Sequence, residues 1–160
     1  MQKELFKRKE LLEEIRRFQS NQFGEIDVAK NAVRSIMTTA SLIVSLVAAF
    51  VATNYQACDS ACMGGLKVVA VFYVLLIVVS VWSLYPVTLR TPLEMSEKNM
   101  ELYYKSYKTE VAFMNRVINR YLVAIHENLR VVQKRKLLAA WAGLLFGLMV
   151  LFLLLPQLGG

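Results

Sequence analysis

The chain has 160 residues, 56% of them hydrophobic, with 19 Lys and Arg against 12 acids and a formal net charge of +7. Soluble domains average roughly 45–50% apolar usage, so this composition and a mean hydropathy of +0.43 exclude an ordinary water-soluble domain. The length allows at most one domain's worth of chain.

From the N-terminus, "KELFKRKELLEEIRRFQ" reads as an amphipathic helix with Leu5, Leu12, Ile15 and Phe18 or Phe6 toward one side. Glu4–Arg8 and Glu13–Arg17 are i,i+4 pairs in the favourable order. "SNQFGEID" is expected to interrupt it, with Gly24 as the break before a second helix starts near Ile26. That helix passes Asp27, Lys30 and Arg34 and becomes the first of three uncharged runs. The runs cover residues 35–57, 68–89 and 137–160, and each supplies the roughly 20 apolar residues that cross a hydrocarbon core of about 30 Å. A secretory signal is not expected, because the first run starts some 35 residues in, lacks a small-residue exit and is followed by a second span.

The first and second spans are joined by a short segment, residues 58–67, containing "CDSACMGG". Cys58 and Cys62 could form a bridge or remain free thiols, and Asp59 alone is too little for a metal site. After the second span, Pro86 and Pro92 bracket "VTLRT", which must leave the membrane and turn. No Pro or Gly then occurs from Met95 until Gly143. Apolar residues recur at Met100, Tyr104, Tyr107, Val111, Met114, Ile118, Tyr121 or Leu122, Ile125, Leu129 and Val132, the alternation of three and four that marks a coiled-coil or bundle seam. The simplest reading is one helix from about residue 95 to 155, with a cytosolic part over 90–136 and a third span over 137–155.

Charge placement orients these elements. Residues 1–34 hold eight Lys and Arg against six acids and residues 90–136 hold ten against five, whereas the segment between spans one and two has only Asp59 and Lys67. Cationic segments near span ends stay cytoplasmic, which places the N-terminus inside and the C-terminus outside. Tyr55, Trp82, Tyr85 and Trp141 fall toward span ends, where aromatic rings favour the interface. The expected fold is therefore all-α: a membrane protein with three transmembrane helices, an N-terminal amphipathic helix and a long cytosolic helix running into the last span.

A seam of this length needs partners, and the spans carry small-residue faces that let helices approach. Ala139, Gly143 and Gly147 form one such row for helix packing, and homo-oligomerisation is the default expectation. Catalysis is not expected. The single histidine, His126, has no cysteine or acid set around it, and no phosphate loop, zinc motif or nucleophile elbow occurs. The spans also lack the intramembrane charges and internal repeats of secondary carriers. An oligomeric pore needs neither, and hydroxyls of Thr38, Ser41 and Ser45 could wet a narrow path closed by apolar constrictions. A Ser/Thr stripe is at least as often helix-packing glue.

"IDVAKNAVRSIMTTASLIVSLVAA", "WSLYPVTLRTP", "YYKSYKTEV" and "AIHENLRVVQKRKLLAAWAGLLFGLMVLFLL" together resemble the SLATT-domain and Pycsar-type small transmembrane effectors of bacterial anti-phage defence. The resemblance runs from about residue 10 to 155 and is most specific at the approach to the last span, Glu127, Asn128, Lys134 and Lys136. It implies an inner-membrane homo-oligomer, with a tetramer favoured, that opens a pore or disrupts the bilayer in abortive infection. It also implies control by a nucleotide or single-stranded oligonucleotide signal from a partner nucleotidyltransferase or cyclase. No cofactor is expected. With no room for a separate nucleotide domain, the cytosolic helices or an associated protein would read the signal. Tyr103, Tyr104 and Tyr107 interleave with Lys105 and Lys108, giving stacking faces beside cations, and the candidate ligand set is Tyr104, Lys105, Lys108, Arg116, Arg120, Arg130 and Lys134. Positive-inside placement and seam tyrosines explain the same residues without a ligand. Two other classes stand beside this one: an oligomeric membrane anchor that recruits a cytosolic partner, and an ungated holin-like lesion former.

Overall fold

The computed structural model describes residues 2–53, 60–90 and 109–158, with side chains placed for residues 6–53, 63–90 and 109–154. Among them are three helices and no strand: α1 (Gln2–Thr53), α2 (Ser60–Leu84) and α3 (Glu110–Leu158). Each is long and apolar enough over part of its length to cross a membrane. At about 1.5 Å per residue, α1 and α3 each run more than 70 Å, over twice the hydrocarbon thickness.

Several element boundaries differ from the sequence reading. First, α1 passes through Gly24 without a break. One helical glycine costs about 1 kcal/mol against alanine, and the buried positions on either side, Gln22 and Ile26, continue a single packed line that outweighs it. Second, α3 starts at Glu110 rather than near residue 95. Thr109 is its N-cap: Ala112 N–H donates to Thr109 Oγ1 at 3.3 Å and Phe113 N–H donates to the Thr109 carbonyl at 3.2 Å. Glu110 adds a negative charge at the positive end of the helix dipole. Residues 91–108 lie outside the described residues. Third, α2 includes residues 60–67, assigned above to a loop, and ends at Leu84 instead of 89. Pro86 explains that end, since it has no N–H and disfavours helical geometry at the residue before it. At the far end α3 runs through Pro156 to Leu158, three residues beyond expectation.

The buried residues repeat every seven along each helix. They are Leu12, Gln19, Ile26, Val33 and Ala40 in α1; Val69, Leu76 and Ser83 in α2; and Met114, Tyr121, Asn128, Arg135, Ala142 and Met149 in α3. A sustained seven-residue repeat is the signature of left-handed, coiled-coil-like packing. The expected seam of α3 holds at Met114, Ile118, Tyr121 and Val132, with Ile125 half-buried against the first core. Leu129 is exposed, and the buried line also takes in Ala124, Asn128 and Arg135. Apolar recurrence steps over the two polar members.

The chain divides into two compact units, Met1–Ile26 with Val87–Gln133 and Asp27–Pro86 with Lys134–Gly160. In the first, Leu12 and Ile15 of α1 bury with Met114, Val117, Ile118 and Tyr121 of α3. The Arg16 guanidinium sits 5.9 Å from the Tyr121 ring centroid, within cation–π range. Phe6 and Phe18 are 62% and 51% exposed, so the N-terminal face expected from Leu12 and Ile15 continues through Gln19 and Gln22 rather than through phenylalanine. In the second unit, Val33, Ala40, Val69, Leu76, Ala142 and Met149 form the core, and Phe72 stacks on Phe152 at 5.5 Å.

Candidate functional site

The polar chemistry of the described residues gathers where the chain leaves α2. Tyr85 N–H donates the last helical bond, to the Val81 carbonyl at 3.0 Å. The next acceptor, the Trp82 carbonyl, would need an N–H from residue 86, and proline has none. Arg135 of α3 supplies the missing donors. Its guanidinium donates to the carbonyls of Trp82 at 2.6 Å, Tyr85 at 2.7 Å, and Ser83 between them. A planar cation with several fixed N–H groups suits a helix C-terminus, which carries unpaired carbonyls and a partial negative charge. Arg135 is 5% exposed and stands two residues before the uncharged run. Its desolvation lowers the guanidinium below its usual pKa, yet arginine remains charged throughout the working pH range. The hydroxyls of Ser80 and Ser83, both buried, have no partner among the described residues.

In the other unit, Asn128 makes a paired contact with one residue. Arg90 N–H donates to Asn128 Oδ1 and Asn128 Nδ2 donates to the Arg90 carbonyl, both at 3.0 Å. Asn128 is 2% exposed, so this amide pairing replaces the solvent that a non-helical backbone would otherwise need. The neighbouring Glu127 accepts the Arg90 side chain at 2.9–3.0 Å across a largely exposed ion pair. Gln22 of α1 donates to the Ile125 carbonyl at 3.2 Å, while its own Oε1 is buried without a partner.

The residues singled out from the sequence fall in several places. Thr38 and Ser45 are exposed, and their hydroxyls donate back to the Arg34 and Ser41 carbonyls; Ser41 bonds the Tyr73 hydroxyl at 2.9 Å. Two of these three hydroxyls are thus committed to their own helix. Among the candidate ligand residues, Arg116, Arg130 and Lys134 are exposed and Arg120 is half-buried; Tyr104, Lys105 and Lys108 lie outside the described residues. His126 is exposed. Ala139 packs against the second core, whereas a Cβ added at Gly143 or Gly147 would meet nothing within 4 Å, so those two positions receive no close helix among the described residues. Cys58 and the side chain of Cys62 lie outside the described residues. No group of three His, Cys, Asp and Glu side chains that could hold a metal forms among the described residues.

In the sequence Arg135 counts only as one of the span-end cations that orient the chain. The signal was present: a proline two residues past a helix end frees a carbonyl, and a basic residue at the seven-residue spacing of a buried line is available to take it. Asn128 was singled out in the resemblance without its partner, the main chain of Arg90. Comparison with protein-family models, curated proteins and solved structures finds no match for this chain.

Proposed function

We propose that the chain is a subunit of a homo-oligomeric membrane pore whose opening is set by a nucleotide or oligonucleotide signal read on its cytosolic helices. In this reading the protein sits in a bacterial inner membrane, N-terminus in the cytoplasm and C-terminus in the periplasm, and serves as an anti-phage effector. The observation that carries the proposal is the unbroken α3, which holds Arg90 through Asn128, caps α2 through Arg135 and continues as the apolar third span. In this reading a change in the cytosolic part of that helix would reach the span along its continuous backbone. Arg116, Arg120 and Arg130 on α3, together with Tyr104, Lys105 and Lys108, would meet the phosphates and bases of the signal. Neutralising these cations between neighbouring subunits, with a tetramer favoured, would select one arrangement of the bundle.

The test is ion flux from liposomes holding the pure protein, with and without short single-stranded DNA and cyclic nucleotides. Flux that depends on one of these ligands supports the proposal. Absence of flux in every condition removes the pore; flux indifferent to every ligand removes the gate and leaves a constitutive lesion former.

A further inference from the structure

Lys134 is exposed, and no hydrogen bond or ion pair ties its side chain to the described residues. Its surroundings are set by its neighbour. Because Arg135 donates to the carbonyls of Trp82 and Tyr85, the end of α2 is fixed at the level of this turn of α3. The side chains of Trp82 and Tyr85 point away from the core, 70% and 68% exposed. On α3 the exposed line continues from Lys134 through Leu137 at 59% to Trp141 at 50%. The exposed groups around the Arg135 cap are therefore one cation, the two aromatic rings at the end of α2 and, two turns along α3, a third ring beyond a leucine.

We infer that Lys134 and the aromatic rings of Trp82, Tyr85 and Trp141 form a docking surface for the phosphate headgroup of an anionic phospholipid. The partner chemistry follows from continuity and charge. The apolar side of the patch runs directly into exposed Leu144 and Leu151 of the span, which only acyl chains or another helix can cover. Indole and phenol rings settle at the headgroup level. At about 1.5 Å per residue Lys134 stands about 4.5 Å above Leu137, inside a headgroup layer some 5–7 Å deep, so its ammonium meets lipid phosphate without stretching. Arg135 cannot compete for that phosphate, since its guanidinium is turned inward onto three carbonyls. This removes Lys134 from the soluble-ligand set and makes it a lipid contact. The inference rests on the membrane insertion in the proposed function but not on the pore.

Trp82 and Trp141 are the only two tryptophans in the chain, and both belong to the patch. The full-length protein in bilayers is therefore its own probe. Tryptophan fluorescence is quenched by brominated phosphatidylglycerol or brominated phosphatidylcholine, and the ratio reports the local lipid. We expect phosphatidylglycerol to be enriched roughly fivefold around the rings at low salt, the weight of one interfacial cation. Lys134→Gln should bring the ratio to near one; Lys9→Gln, which removes the same charge far along α1, should leave it enriched. Equal quenching by both lipids, or enrichment that survives Lys134→Gln or falls equally in Lys9→Gln, would overturn the inference while leaving the pore proposal standing. Enrichment stripped by a short single-stranded oligonucleotide would also overturn it and return Lys134 to the soluble ligand. No quenching by either lipid would mean the rings are not in a bilayer, and the membrane reading itself would fall.

Discussion

Arg135→Met is the most informative substitution, because the three carbonyls it would strand differ in their access to water. The Ser83 carbonyl is buried and the helix ends at Leu84, so it loses its donor outright; a dry, unpaired group costs about 1–3 kcal/mol. The Trp82 carbonyl is partly buried and loses about 1 kcal/mol. Tyr85 is exposed, and water repairs its carbonyl at little cost. The gross loss is about 3 kcal/mol, offset in part because methionine no longer confines a desolvated charge. A net destabilisation of about 2 kcal/mol remains, which for a chain of this size lowers Tm by roughly 5 °C. Thermal unfolding of purified protein in micelles measures it, with Lys134→Met as a comparison expected to stay within about 0.5 kcal/mol. Arg135→Lys should fall between, since an ammonium lacks the planar fork that spans several carbonyls. An Arg135→Met protein as stable as the parent would refute the capping argument.

Three further outcomes follow from the same geometry. Asn128→Ala removes both bonds to the Arg90 main chain and should cost about 1–3 kcal/mol, seen as faster amide exchange at Arg90; Arg90→Gln, which breaks only the exposed ion pair, should cost under about 1 kcal/mol, and less still as salt is raised. Gln22→Leu should leave stability unchanged or raise it, because the lost 3.2 Å bond is balanced by removing a buried, unpartnered Oε1; a clear drop in Tm would show that the oxygen has a partner in solution. Gly143→Ala with Gly147→Ala should raise the stability of the single chain by about 0.5–1 kcal/mol per site, since open space surrounds both positions. If copies meet along that row, the same pair should shift light-scattering mass toward monomer; an unchanged mass places the subunit contact elsewhere.

What could be read from the sequence divides along a physical line. Uncharged runs of about 20 residues report on solvent transfer, a property of composition, and the three membrane-length helices follow from them directly. The seven-residue repeat was legible as far as its members were apolar, as at Met114, Ile118 and Tyr121. It failed at Asn128 and Arg135, whose burial depends on backbone groups about 40 to 50 residues away that periodicity cannot register. Gly24 misled for the opposite reason. Its local preference is real but small, and packing at Gln22 and Ile26 decides the matter. The start of α3 turned on a single Thr109 cap, weaker evidence than the apolar recurrence that continues upstream of it. Among the site residues, exposure distinguishes Arg130 and Lys134 from Arg135, although all three lie within six residues and carry the same charge.

The cap on α2 also constrains the order in which the protein can be completed. Arg135 follows the carbonyls of Trp82, Ser83 and Tyr85 by 53, 52 and 50 residues, so during synthesis α2 emerges with its carboxyl end unfinished. Until the chain has been made as far as Arg135, those oxygens must keep their water. The second helix can enter lipid early, but it cannot dry out at that end until the third arrives.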